Sequence, residues 1–146
     1  MMEKNFSQAI AAKGIRPSMQ RTAIYEYLCT HPTHPTVDAV YRSLSATHPT
    51  LSRTTVYSTL RLLAEHGLVQ AITIEDDELR YDAETKPHIH FKCRKCGRID
   101  DVFIGGKIVE FNSTCASSVG NGCKVDAIQT NVWGLCAECA AKSASS

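Results

Sequence analysis

The chain has 146 residues, enough for one domain or two small ones with modest cores. At 43% hydrophobic and 21% charged residues it should be globular rather than disordered. No apolar run approaches membrane-spanning length, and the opening "MMEKNFSQAIAAKG" lacks the apolar region of a secretory signal, so a cytoplasmic protein is expected, with no membrane partner.

The net charge of +1 hides an asymmetry. Residues 1–74 carry seven Lys+Arg and four acids, giving +3, and residues 75–146 carry nine and eleven, giving −2. A mildly basic half beside a mildly acidic one points weakly to DNA in the first half. That half reads helical. In "SMQRTAIYEYL" the residues Met19, Ala23, Ile24, Tyr27 and Leu28 fit one helical face, with Pro17 and Ser18 as a start. In "HPTVDAVYRSL" Thr36 can cap, and Val37, Val40, Tyr41 and Leu44 fall at i, i+3, i+4 and i+7. "SRTTVYSTLRLLAEHG" has Ser52 as cap, an inner stripe of Val56, Leu60 and Leu63, and Gly67 as the stop.

After Gly67, "LVQAITI" and "ELRYDA" read as strands around the acidic turn "EDDE". Three helices and a hairpin make a winged helix over residues 1–84, whose last helix enters the major groove from its N-terminal end. Arg53, Thr54, Thr55, Tyr57 and Ser58 would face DNA there, with Arg16 from earlier in the chain. Arg can pair with guanine edges or phosphate, and Thr and Tyr can contact thymine methyls and phosphates. An ordinary solvated helix face is the alternative.

Residues 85–87 read as a hinge, and 88–146 as a smaller, strand-rich domain, so the fold class is α+β. "IHFKC", "RIDDVFI" and "KVDAIQTNVW" are expected strands, "KIVEFNSTCASSV" a short helix, and the terminal "AAKSASS" a frayed end.

Cys93-x-x-Cys96 is matched forty residues on by Cys136-x-x-Cys139. Four thiolates in two knuckles are the usual closed tetrahedral zinc site, and the long spacer suits a clip from the C-terminus to the domain's first strand. Cys29 is expected to be a small buried hydrophobe, and Cys115 and Cys123 lack metal-like spacing. His88 and His90 alternate with Ile89, so on a strand both imidazoles point one way. The cysteines need all four of their own number, which argues for a second site, and imidazole with carboxylate suits Fe(II), Mn(II), Zn(II) or Co(II).

In order and spacing, "HPT" before a helix, "SRTTVYSTLRLLAEHGLV", "RYD", "HIHFKCRKCG" and "CAEC" resemble the ferric uptake regulator family, over about residues 6–142. The resemblance implies an N-terminal winged helix, a C-terminal dimerisation domain, and metal-dependent repression by a homodimer on palindromic operator DNA. It maps a regulatory Fe(II) or Mn(II) site onto His34, Asp82, His88, His90 and Asp101, beside the structural zinc of Cys93, Cys96, Cys136 and Cys139. Asp100 is a neighbour that could stand in for Asp101. Asp at position 82, where iron sensors of the family usually have Glu, is similar to the peroxide-sensing branch. That branch implies Fe(II)-catalysed oxidation of a ligand histidine, His34 or His88. Pro87, Ile89 and Ala127 or Ile128 occupy the positions of the family's additional site and cannot ligate. The strand "VDAIQTNVWG" also lacks the common His-rich pattern.

An iron- or zinc-responsive uptake regulator is the alternative within the family. A zinc hydrolase or deaminase built on His88 and His90 would need a general base beside an open metal position, and no flanking motif supplies one. No enzyme activity is expected. A zinc-ribbon module without DNA is the remaining alternative.

Overall fold

The computed structural model describes residues 5–144. The chain divides into two compact units that meet between Thr85 and Lys86.

The first unit holds α1 (Phe6–Ala12), α2 (Met19–Thr30), α3 (Val37–Ser45), α4 (Arg53–Glu65) and the hairpin of β1 (Gln70–Ile72) and β2 (Arg80–Asp82). It is a winged helix. Helix starts are fixed by side-chain caps, because the first N–H groups of a helix have no partner within it. Ser18, Thr36 and Ser52 accept from the backbone N–H of Arg21, Ala39 and Thr55, each at 3.1 Å. At the end of α4, Gly67 takes φ +77° and lets Leu68 N–H reach Leu63 C=O, a Schellman-type stop.

The core joins Ile10, Ile24, Tyr25, Leu28, Val40 and the α4 stripe of Val56, Leu60 and Leu63. Two expectations change here. Met19 is 81% exposed, and the buried stripe of α2 is Ile24, Tyr25 and Leu28, one step round from the face read off the sequence. Tyr25 is drawn inward by Phe6, whose ring meets it edge-on at 5.9 Å. That contact belongs to α1, an element of seven residues, too short for periodicity to reveal. Cys29 is half-buried against the same core.

The hairpin pairs Gln70 with Asp82, Ala71 with Tyr81 and Ile72 with Arg80. β2 also holds the "HPT" segment. Tyr81 N–H donates to Pro35 C=O at 3.0 Å, the Arg80 guanidinium donates to His34 C=O at 3.0 Å, and Thr36 bridges to Arg80. An Arg80–Glu75 ion pair closes the base of the wing.

The second unit is a three-stranded sheet of order β4-β3-β5, formed by β3 (Ile89–Cys93), β4 (Ile99–Val102) and β5 (Thr130–Gly134), with α5 (Gly106–Ser118) and α6 (Ala137–Ala144). β3 runs antiparallel to β4 and parallel to β5. Of the expected strand "KVDAIQTNVW" only the second half pairs, and residues 140–144 of the expected frayed end are helical, while 145–146 lie outside the described residues. Among the described residues this unit buries only Cys93, Ile108 and Cys139 of its hydrophobics. A core that small calls for staples.

Leu60→Ala should lower unfolding stability by about 2–5 kcal/mol through a cavity in the core. Ser52→Ala should cost about 1 kcal/mol through the lost cap. Thr54→Ala, on the exposed face, should stay within about 0.5 kcal/mol. Urea unfolding of the three variants checks the order.

Candidate metal centres and the DNA-facing helix

The two Cys pairs come together within the second unit. β3 ends at Cys93, and the turn that follows places Cys96. β5 lies parallel to β3 with Gly134 opposite Cys93, and α6 begins just beyond Cys136. Arg94 N–H donates to Gly134 C=O at 2.8 Å and holds the two knuckles side by side. The four sulfurs all lie within 4.8 Å of one another, with Cys96 Sγ and Cys136 Sγ at 3.8 Å. A zinc tetrahedron with bonds of about 2.3 Å has edges of about 3.8 Å, so the donor set fits that ion. Backbone N–H donors, first that of Cys96 and then that of Cys136, hold the Cys93 thiol down at about 6. Cys139 is pushed up to about 12, chiefly by its thiol contact with Cys136 and then by burial. Sulfurs this close cannot all ionise without a cation among them.

Of the expected regulatory residues, His34 and Asp82 belong to the first unit and His88, His90 and Asp101 to the second. In the first unit His34 and Asp82 are both buried, with His34 Nε2 3.6 Å from Asp82 Oδ2. Asp82 closes β2, and its Oδ1 accepts from Glu84 N–H at 2.9 Å, which leaves Oδ2 for the histidine. His34 sits at φ +55°, the only positive φ outside glycine among the described residues. A histidine in that region carries backbone strain, which the Arg80 contact to its own carbonyl and the Tyr81 contact to that of Pro35 hold in place.

In the second unit the β3–β4 register sets Asp101 directly opposite His90. His88 lies one step beyond, on the same face, and its ring stacks on Phe103 at 4.9 Å. His88 Nε2 and His90 Nε2 stand 3.1 and 3.5 Å from the same Asp101 oxygen. His88 Nδ1 lies 2.7 Å from Lys86 C=O, which accepts its proton. Neutral His88 therefore turns a lone pair on Nε2 toward a carboxylate oxygen, and the two need a shared cation, a proton or a metal, between them. Ligand atoms about 2.1 Å from one metal lie about 3.0 to 3.4 Å apart, and the two separations from Asp101 Oδ1, 3.1 and 3.5 Å, are close to that spacing. Asp100 is no stand-in for Asp101. It falls opposite Phe91, on the other face, and pairs with Arg98 at 2.9 Å.

Of the DNA-facing candidates, Arg53, Thr54, Tyr57 and Ser58 are exposed on α4, while Thr55 is half-buried and its hydroxyl accepts from Ser52 at 3.0 Å. Arg16 is exposed ahead of α2 and its carbonyl accepts from Arg21. Arg53 is engaged by Asp38, a residue that the sequence reading passed over. The available signal was an acid in the first turn of α3, which reads equally as a favourable dipole partner. Cys115 is half-buried on α5 and Cys123 is exposed.

The model of the ferric uptake regulator family matches residues 12–121. The peroxide operon regulator of Bacillus subtilis is 36% identical over 139 residues, covering 95% of this chain and 94% of that protein. The peroxide-responsive repressor PerR of Staphylococcus aureus is 39% identical over 103 residues, 68% of this chain and 70% of the relative. The crystal structure of the Campylobacter jejuni peroxide stress regulator superposes with a TM-score of 0.68 at 29% identity, covering 91% and 95% of the two chains. The manganese-bound ferric uptake regulator of Pseudomonas aeruginosa reaches 0.72 at 17% identity, over 92% and 99%, a likeness of fold alone. The family match stops short of the second Cys pair, so the four-sulfur cluster stands on the geometry of β3, β5 and α6. With three-quarters of its length matched and a near-full-length relative above 30% identity, this chain belongs to the ferric uptake regulator family.

Proposed function

We propose that the protein is a metal-dependent, DNA-binding transcriptional repressor that senses peroxide. The observation that carries the reading is the pair of partial ligand sets built on buried histidines: His34 with Asp82, and His88 and His90 with the half-buried Asp101. In this reading one Fe(II) or Mn(II) joins all five side chains and restrains the hinge at residues 85–87. The winged helix, residues 1–84, and the dimerisation and zinc-binding domain, residues 88–146, are then held in one arrangement. Recognition helices in a homodimer so held match the half-site spacing of palindromic double-stranded DNA. Loss of the metal releases the restraint and disfavours the DNA-competent state, as linkage requires.

Each residue has a part in this. Zinc on Cys93, Cys96, Cys136 and Cys139 keeps β3 in place, and with it His88 and His90. Arg16, Arg53, Thr54, Thr55, Tyr57 and Ser58 face the duplex. Phe103, Phe111 and Val109 are each more than half exposed, and with the small core of their unit they support a second copy as partner. No helix among the described residues is long and apolar enough to cross a membrane, and action in the cytoplasm is part of the family-based reading.

When bound, Fe(II) reduces hydrogen peroxide and supplies the oxidant that adds one oxygen to an adjacent imidazole, whereas Mn(II) supports DNA binding without that chemistry. His34 and His88 are the targets. An oxidised ring ligates poorly, and repression lifts. The peroxide-responsive relatives and Asp at position 82 support this over an iron- or zinc-responsive uptake regulator.

Three measurements test the reading. Mass spectrometry of the Fe(II)-loaded protein after peroxide should find a 16 Da addition on peptides carrying His34 or His88. It should find none in the Mn(II)-loaded protein. An unmodified iron form would leave a plain metal sensor. His34→Ala and Asp82→Ala should keep zinc and fold but lose metal-dependent DNA binding by tenfold or more in a mobility-shift titration. Full binding by either variant after chelation would remove the clamp. Cys136→Ser should bring zinc from about one per chain to near zero and lower the thermal midpoint, because zinc binding at such a site is folding energy.

A further inference from the structure

We propose that Asp38 is a positioning residue for Arg53, and that Asp38, Arg53 and Tyr41 together fix which base is read at one position of the DNA site. The proposal rests on the DNA-binding reading above. Arg53 is the first residue of α4, at the end that enters the groove. Its Nε and one terminal nitrogen both donate to Asp38 Oδ1, at 3.1 and 2.8 Å. Its guanidinium lies over the Tyr41 ring, 4.6 Å from the centroid. With two donors engaged and one face stacked, the planar group has a single orientation. Three of its five N–H donors remain, on the outer fork, the pattern that pairs with guanine O6 and N7.

Two observations separate positioning from simple neutralisation. Asp38 is shared: its other oxygen accepts from Arg42 Nε at 2.9 Å. Two guanidiniums and one carboxylate leave the group at +1, so the acid does not cancel the attraction to DNA. Arg53 also lines a cavity of about 600 Å³ with Glu75, Asp76, Asp77 and Glu78 of the wing turn. Glu75 is paired with Arg80, and the other three acids disfavour a phosphate there and leave a neutral base edge as the better partner for the fork. The pair is solvent-exposed, with side chains 59% and 42% accessible, so it contributes little to stability. Its effect is on direction.

The test is selection of duplexes from a randomised library by the Mn(II)-loaded, full-length protein and its variants. Wild type should return a palindromic consensus. Arg53→Ala should lose the guanine preference at one symmetric pair of positions, a change of roughly tenfold in relative affinity, and keep the others. Asp38→Asn and Asp38→Ala should blur that same pair alone, and Asp38→Glu should restore it in part. Two Asp38 variants guard against a local fault in α3, since only loss of helicity by both would mimic the effect, and circular dichroism detects it. Unchanged consensus with Asp38→Ala overturns the proposal. So does uniform tightening on all duplexes, which would make Asp38 a mere counter-charge. Failure of wild type to return any consensus overturns the DNA-binding reading itself.

Discussion

The register of β3 governs both metal centres. One pairing places His90 opposite Asp101, and the parallel pairing on the other edge places Cys93 opposite Gly134. A shift of one residue on the β4 side would turn Asp101 to the face that now carries Asp100. A shift on the β5 side would carry Cys136 and Cys139 away from Cys93. Zinc sulfurs and imidazoles thus share one strand, with two residues between His90 and Cys93. In a unit whose described residues bury three hydrophobics, two of them zinc-site cysteines, core packing alone is a weak guarantee of that register. A four-thiolate clip joining the C-terminal ends of β3 and β5 supplies what packing does not.

Much of this was legible, and the reasons are local. Cap residues and short-range periodicity placed α3 and α4, because both carry an unambiguous cap and an apolar stripe at helical spacing. The face of α2 was misjudged by one residue, because Phe6 rather than the helix's own pattern decides that Tyr25 turns inward. α6 was missed since alanine and serine without a strong apolar stripe resemble a loose end, and the anchor that orders them is Cys139 in the cluster. The cysteine spacing named the zinc set outright. The histidines were harder. His-x-His alone is common on surfaces, and only burial together with a shared carboxylate oxygen separates ligands from ordinary side chains. Nothing in the sequence announced the positive φ at His34.

That backbone detail bears on how the first unit presents its ligands. A histidine with φ near +55° costs free energy, about 1 kcal/mol or more, and persists because its surroundings hold it. Here the carbonyls of His34 and Pro35 are both taken by β2, the strand that ends in Asp82. The strained residue and its carboxylate partner are therefore held by one short strand, and neither can move without breaking the hairpin's attachments. A rigid pair of ligands loses little entropy on binding, so more of the metal's affinity is available for other work.

On the proposed reading that other work is reporting. Two ligands from one unit make a weak site, and three from the other a stronger but open one. Affinity for the complete set exceeds either only if both units are correctly placed, so metal binding and unit placement are thermodynamically the same event. The same logic explains why oxidising a single imidazole suffices. Removing one ligand from a five-ligand set need not empty the site. It has only to lower the differential affinity between the DNA-competent and the released arrangement, which is the one quantity that sets the population. A closed four-thiolate site has no such leverage. Its ligands all belong to one unit, so the zinc can strengthen that unit without reporting on the other.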